Sequence, residues 1–175
     1  MIMDDVERRI QAFSARGAMS SPAAKLDVLM DLERLRDGRV VSFLLVVLGD
    51  PDEPAEVRMH VLKRLRNGPL TLAERSSAAA ALSELMLHGC SLDLRLQAAL
   101  ALAEFTDIGG VLSALGSLAL EPHELLDLRY SAFTSLERAG PTPECVDLLR
   151  QLSNDEMLGR SAHSALARWH LDPRD

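Results

Sequence analysis

Apolar positions recur every three or four residues along most of this chain, which is the spacing of one face of an α-helix. Two central stretches repeat the pattern closely: the triplet Asp-Leu-Arg at 93–95 returns 34 residues later at 127–129, and each triplet opens a run rich in Ala and Leu. Self-similarity at a period of about 20 to 50 residues is typical of stacked structural repeats. The pattern therefore predicts a repeated helical architecture.

Short turn signals divide the chain into ten predicted helices. Ser21-Pro22 and Thr142-Pro143 each provide an N-cap followed by a first-turn proline. Thr71 and Glu74 have the spacing of a capping box. The predicted helices cover about 4–16, 22–36, 40–48, 54–66, 71–88, 91–105, 111–120, 125–139, 143–152 and 156–170.

The segment VVSFLLVVL at 40–48 is ambiguous, because a β-branched apolar run of this length fits a buried strand as well as a buried helix. An isolated strand would leave its backbone groups unpaired, and no other segment predicts a strand that could pair with it. We therefore predict a buried helix here.

Composition supports an all-α fold. The chain has 175 residues, a length typical of one domain, so we expect a single domain over 1–175. Apolar residues make up 47% of the chain but aromatic residues only 3%, and Ala and Leu, the strongest helix formers, supply most of the apolar side chains.

Charge limits the classes of partner. The net charge is −7 and no run of five or six basic residues occurs, whereas phosphate binding needs clustered Lys and Arg. The longest charge-free apolar stretch, 108–120, is shorter than the roughly 20 residues of a membrane span, and the start lacks a basic segment followed by an apolar one. We expect a cytoplasmic protein that does not bind a membrane, and the charge makes nucleic acid a poor default partner.

The two cysteines, Cys90 and Cys145, lie far apart and form no C-x-x-C motif. Their even number leaves a disulfide open, but a helical chain without a secretion signal favours reduced thiols that pack in the core.

The second helix of each predicted pair fits one template: an apolar residue, then Arg, two variable positions, two small residues, a variable position, a small residue and Leu. The anchoring leucines are Leu32, Leu65, Leu102, Leu136 and Leu166. This pattern resembles the HEAT repeat family, in particular the bacterial HEAT-like repeat proteins, over most of the chain and best from about 50 to 169. The resemblance implies a right-handed α-solenoid of about five two-helix repeats. The first unit, about 1–37, departs from the template with Lys25 in place of Arg and is a candidate for a divergent cap; in the last unit Gly159 takes that place.

The resemblance also implies a ladder of hydrogen-bonded charges between neighbouring units. The matching residues are Arg95 with Asp93, Arg129 with Asp127, and Arg58 with Asp52 or Glu53. We expect these arginines to be structural, because a buried arginine usually has a fixed carboxylate partner.

In the family the second helices line the concave surface, which implies that their faces opposite the core form a groove. This groove combines apolar positions with polar ones, and we expect it to bind a partner through Leu26, Met30, Met59, His60, Lys63, Leu96, Gln97, Leu100, Tyr130 and Thr134. Its outer flanks would include Arg66, Glu104, Ser131, Glu137, Arg138 and Arg168. Coverage of the strip by tight curvature or by a neighbouring chain is the alternative.

No set of residues in the sequence predicts catalysis, a metal site or a cofactor site. We therefore expect a non-enzymatic scaffold or adaptor that binds a protein or peptide, as a monomer or a weak homo-oligomer. Two other functions remain open. One is a HEAT-type nucleic-acid-binding protein or DNA glycosylase-like enzyme, for which Lys63, Arg66, Arg138, Arg160 and Arg168 would form a local basic patch; the other is a self-associating structural subunit.

Overall fold

The computed structural model describes residues 3–15 and 21–174 and contains ten α-helices and no strand within them. A 3-10 turn, Leu102–Phe105, extends the sixth helix. The all-α fold class and the number of helices are confirmed. The helices are α1 Asp5–Ala15, α2 Pro22–Glu33, α3 Gly38–Gly49, α4 Ala55–Asn67, α5 Leu72–His88, α6 Leu92–Ala101, α7 Val111–Leu120, α8 Leu126–Ala139, α9 Pro143–Leu152 and α10 Gly159–Arg168.

The chain forms two compact units, 1–81 and 82–175, whose boundary falls inside α5. In the first unit α1 packs on α2 and α3, and α4 packs on α2 and α3. In the second unit α8 packs on α6, α7 and α9, and α9 also packs on α7 and α10. These contacts join helices that are adjacent or next but one along the chain.

The core follows the apolar periodicity. All five anchoring leucines of the template have an exposed fraction of 0%. Along α8 the buried residues Leu128, Ala132 and Leu136 repeat every four positions, so one stripe of the helix faces the interior. Small residues let the helices approach closely: a Cβ atom at Gly116 of α7 would lie 2.5 Å from the side chain of Leu148 on α9.

Local capping fixes the helix starts where the sequence predicts it. The hydroxyl groups of Ser21, Ser91 and Thr142 accept hydrogen bonds from backbone N–H groups three residues later, at 3.3, 3.4 and 3.3 Å. Both bonds of the predicted capping box are present, since Glu74 N donates to Thr71 Oγ1 at 3.2 Å and Thr71 N donates to Glu74 Oε2 at 2.8 Å.

Two segments differ from the prediction. The 40–48 segment is helical, as expected, but only one of its faces is buried, because Val46 is 67% exposed while Leu44 is fully buried. The last helix begins at Gly159, later than predicted. The Asp155 carboxylate accepts the N–H groups of Met157 and Leu158, both at 2.9 Å, and so stabilises a turn that delays the helix.

Both cysteines are free thiols. Cys145 is fully buried, its Sγ–H donates to Leu136 O at 2.9 Å, and burial raises its pKa to about 12. The packing role expected for both thiols holds for Cys145 alone, because Cys90 is exposed. Across the described residues, no helix is both long enough and apolar enough to traverse a bilayer.

Candidate functional site

The predicted groove residues fall into two sets, one in each unit. The first unit carries them on α2 and α4, and the second carries them on α6 and α8. The two sets are Leu26, Met30, Met59, His60 and Lys63 in the first unit, and Leu96, Gln97, Leu100, Tyr130 and Thr134 in the second. Each set is therefore described with its own unit.

In the second unit, two hydrogen bonds fix the register of α6 against α8. The Ser135 hydroxyl donates to Ala99 O at 2.7 Å, a separation of 36 residues. Near the C-terminal ends, the Arg138 guanidinium donates to Glu104 at 2.8 Å, a separation of 34 residues. Both helices therefore run in the same direction, with each α6 residue beside the α8 residue about 34 to 36 positions later.

This register places apolar positions of the two helices side by side at their N-terminal ends. Leu92 lies opposite Leu126, with exposed fractions of 42% and 43%, and Leu96 lies opposite Tyr130, which is 51% exposed. Leu125, just before α8, is 54% exposed. We call these five residues the apolar strip.

Sequence reasoning missed three members of the strip: Leu92, Leu125 and Leu126. The sequence contains a signal for two of them, because Leu92 and Leu126 are 34 residues apart, as Leu96 and Tyr130 are. Each of the two leucines lies one helical turn before its counterpart in that second pair. The predicted residues Leu96, Gln97, Leu100 and Thr134 are each only half-buried, so the structure leaves part of the predicted face accessible.

Two pairs of opposite charges lie about two helical turns beyond the strip, toward the C-terminal ends of α6 and α8. Besides the Arg138–Glu104 pair, Arg168 of α10 donates to the carboxylate of Glu137 on α8. The Thr134 hydroxyl donates to Tyr130 O at 3.0 Å. Two arginines of the predicted basic patch, Arg138 and Arg168, are therefore neutralised by carboxylates of the same unit.

In the first unit the predicted residues form a more polar surface. Met30 is 47% exposed and Lys63 is exposed, whereas Leu26 and Met59 are half-buried. His60 Nε2 lies 2.7 Å from Glu33 Oε1, which links α4 to the end of α2.

A cavity of about 760 Å³ opens beside Met30 and His60. Its walls come from the C-terminal halves of α2 and α4, the turn between α2 and α3, and the starts of α3 and α5. The lining residues are Met30, Glu33, Arg34, Leu35, Arg36, Asp37, Gly38, Val40, Val41, His60, Arg64, Pro69, Thr71 and Glu74.

The charge ladder has partners that differ from the prediction. Arg95 donates its Nε to Met86 O at 2.8 Å and its Nη2 to Glu124 at 2.6 Å. Arg129 donates its Nε to Ala119 O at 2.9 Å and its Nη2 to Asp155 at 2.5 Å. The predicted pairs with Asp93 and Asp127 are wrong, because these two carboxylates lie exposed at helix starts while each guanidinium points to the end of the preceding helix.

The predicted pairing of Arg58 with Asp52 or Glu53 is also wrong. Arg58 is 8% exposed and donates its Nε to Leu48 O at 2.9 Å, at the end of α3. Glu53 instead binds Lys25, whose Nζ lies 2.7 Å from the carboxylate and 4.8 Å from the centre of the Phe13 ring. Each carboxylate that binds Lys25, Arg95 or Arg129 lies 26 to 29 residues later in the chain.

The described residues contain no group of three or more His, Cys, Asp or Glu side chains placed to hold a metal ion. Cys145, with its raised pKa, stays protonated and buried. The arrangement offers apolar contact in the second unit and mixed charge around the cavity of the first.

Comparison of this chain with protein-family models, with curated proteins and with solved structures finds no match. The function is therefore inferred from the residues of the chain themselves.

Proposed function

We propose that this protein is a non-enzymatic adaptor, a right-handed α-solenoid of about five HEAT-like repeats that holds a segment of a partner protein along its second helices. The observation that carries the proposal is the apolar strip. Eight large apolar side chains are exposed among the described residues, and four of them, Leu92, Leu125, Leu126 and Tyr130, belong to the strip.

Clustering matters because single exposed apolar residues are common on protein surfaces, whereas a contiguous apolar patch with a polar rim marks an interaction site. Leu and Tyr supply apolar contact area, and Tyr adds a hydroxyl group that can bind at the edge of an interface. Polar residues lie beyond the strip on the same helices, among them the pairs of Arg138 with Glu104 and of Glu137 with Arg168.

The two arginine–glutamate pairs also favour a protein segment over nucleic acid as the partner. Phosphate binding depends on cations that are free to replace the counterions of the nucleic acid. Arg138 and Arg168 would first have to leave their carboxylates, and the chain carries a net charge of −7.

The test replaces Leu92 and Leu126 together by Asp. Both are the first residues of their helices, where a carboxylate interacts favourably with the helix dipole, so we expect little change in melting temperature. Leu96 and Leu100 are less suitable positions, because they are half-buried and Asp there would destabilise the fold. The matched control is Val46→Asp on α3, which also adds a carboxylate at an exposed apolar position.

A photo-crosslinking amino acid placed at Tyr130 reports the contact in cells that naturally express the chain. We expect adducts with a second protein that disappear in the Leu92→Asp/Leu126→Asp variant and persist in Val46→Asp. Absence of adducts, or adducts that survive the double substitution, contradicts the proposal. Adducts with another copy of this chain alone, together with a dimer mass in light scattering, indicate the self-associating structural subunit instead.

A further inference from the structure

The cavity of the first unit differs from the apolar strip in its polar content. Charged side chains contribute about half of its lining residues. Which of these charges already has a partner decides what kind of ligand the cavity would accept.

The acidic groups of the cavity are all bound. Asp37 accepts hydrogen bonds from the Arg39 guanidinium at 2.7 Å and from the Arg39 backbone N–H at 2.9 Å, and these bonds lower the pKa of Asp37 to about 2. Glu74 accepts the backbone N–H of Thr71 at 2.8 Å, and Glu33 lies against His60. Each of the three carboxylates therefore already has a hydrogen-bonding group of the same unit against it.

Arg64 is in the opposite situation. Neither a hydrogen bond nor an ion pair joins its guanidinium to any described residue, and its Nη1 is the one buried side-chain nitrogen or oxygen atom there without a partner. A guanidinium has five N–H donors, and a buried donor without a hydrogen-bond partner destabilises the folded state.

The backbone makes room for this group at Gly68. A Cβ atom at Gly68 would lie 1.5 Å from Arg64 Nη1, so any other residue there would displace the guanidinium from its present position. Arg36, a second cation of the lining, is exposed and has no partner among the described residues. The cavity therefore presents two cations whose hydrogen-bonding capacity is unused.

Apolar walls adjoin these cations. Val40 and Val41 at the start of α3 are 3% and 6% exposed, and Met30, Leu35 and Pro69 complete the apolar lining. A volume of about 760 Å³ lies within the range of about 300–1,000 Å³ that is usual for ligand pockets. A short stretch of extended peptide is of suitable size.

We propose that the cavity binds an acidic side chain of the partner segment, flanked in that segment by an apolar residue. This inference rests on the proposed adaptor function and adds a requirement for charge. The carboxylate accepts hydrogen bonds from the guanidinium of Arg64, and two parallel hydrogen bonds are the strongest arrangement for such a pair. Arg36 adds a second positive charge. The apolar neighbour contacts Val40, Val41 and Met30.

The experiment uses a capped pentapeptide, acetyl-Leu-Glu-Leu-Glu-Leu-amide, and its neutral match with Gln in place of Glu. Each peptide is titrated into the full chain while the Nε–Hε signal of Arg64 is followed by NMR. We expect the acidic peptide to shift that signal and to bind about tenfold or more tightly than the neutral one. Arg64→Gln should remove this preference.

Arg8→Gln is the matched control, because it removes the same charge from the same unit at an exposed residue outside the cavity lining. We expect it to keep the preference for the acidic peptide within about twofold. Circular dichroism establishes that each variant is folded. If Arg64→Gln unfolds, the comparison of the two peptides on the unaltered protein, read at the Arg64 signal, decides the outcome.

Equal binding of the two peptides, or a preference that survives Arg64→Gln, overturns the inference and leaves the crosslinking result at Tyr130 untouched. Inorganic phosphate that binds as tightly as the acidic peptide also overturns it, in favour of a general anion site. If the acidic peptide binds at Arg64 but no crosslinks form at Tyr130, the proposed partner contact at the apolar strip is contradicted and the acidic contact in the cavity is supported.

Discussion

The two units use the same chemistry to tie consecutive helix pairs together, but they distribute it differently. In the second unit, Arg95 and Arg129 each bind a backbone carbonyl at the end of the preceding helix and a carboxylate from a later turn. In the first unit two residues share these tasks. Arg58 binds the carbonyl of Leu48, and Lys25 binds the carboxylate of Glu53.

The difference follows from the geometry of the two cations. A guanidinium directs Nε–H and Nη–H along different directions of one plane, so it binds two acceptors at fixed positions, whereas an ammonium is a point charge on a flexible stem. The carbonyls at the end of a helix have no partner within the helix, so binding one of them also completes that helix. Arg95 and Arg129 therefore each connect three elements, whereas Lys25 connects only two.

The largest expected effect on stability comes from removing the Arg129 guanidinium, which connects three elements of the second unit. Arg129 is 3% exposed, so Arg129→Met removes the donor to Asp155 Oδ2 and to the Ala119 carbonyl. We expect the free energy of unfolding to fall by about 3–5 kcal/mol, as measured by urea denaturation.

Arg138→Met provides the control, because Arg138 also pairs with a carboxylate on a neighbouring helix but its side chain is 50% exposed. We expect a change of less than about 1 kcal/mol there. A loss of that small size for Arg129→Met would show that the buried pair does not hold the helices together.

An intermediate effect is expected from exchanging the two cations of the first unit. Arg58→Lys removes the Nε–H that binds Leu48 O, and leaving that carbonyl unpaired should cost about 1–3 kcal/mol. Lys25→Arg should cost less, because Glu53 requires only a positive charge. Equal losses of unfolding free energy for the two exchanges, measured in urea, would contradict the division of tasks.

The smallest effect concerns pH, because Glu124 and Asp155 keep some solvent contact, with side chains 20% and 16% exposed. The hydrogen bond from Arg95, followed by that from Leu125 N, lowers the pKa of Glu124 below its usual value of 4.5. For Asp155, burial raises the pKa, but the hydrogen bonds from Leu158 N, Arg129 and Met157 N together bring it below 3.8.

A carboxyl group whose pKa is lower in the folded state stabilises that state above its unfolded pKa, and this contribution disappears as pH falls through the folded pKa. We therefore expect the second unit to lose stability from about pH 4.5 downward. Glu124→Gln should be less stable than the unaltered protein at pH 7, and the two should converge in acid. A difference in melting temperature that stays constant down to pH 3 would contradict this linkage.

The sequence predicts what short-range chemistry determines. Helix starts depend on residues three positions apart, as at Thr71 and Glu74, and the buried stripe depends on neighbours four apart, as at Leu128 and Leu136. The all-α class, the caps and the anchoring leucines were predictable for this reason. The segment 40–48 needed one further argument, the absence of any partner strand.

Other features depend on how helix pairs align, which local spacing does not fix. Asp93 lies two residues before Arg95 and looked like its partner, but Glu124 comes 29 residues later and reaches the guanidinium because α8 packs on α6. Leu92 and Leu126 were missed because the template begins after them. The close approach of the Arg64 guanidinium to Gly68 is another feature that no periodicity indicates.

Gly159 has a consequence for protein engineering. It occupies the template position of Arg129, and a Cβ atom there would lie 2.8 Å from Ser153 O, the carbonyl beside which His163 Nε2 lies at 3.2 Å. Grafting a further helix pair behind α10 would therefore need more than an arginine at 159. A designer would have to rebuild the turn at 153–158 as well as position 159. Lengthening the second unit is therefore simpler by duplicating a helix pair within α6 to α8 than by adding one after α10.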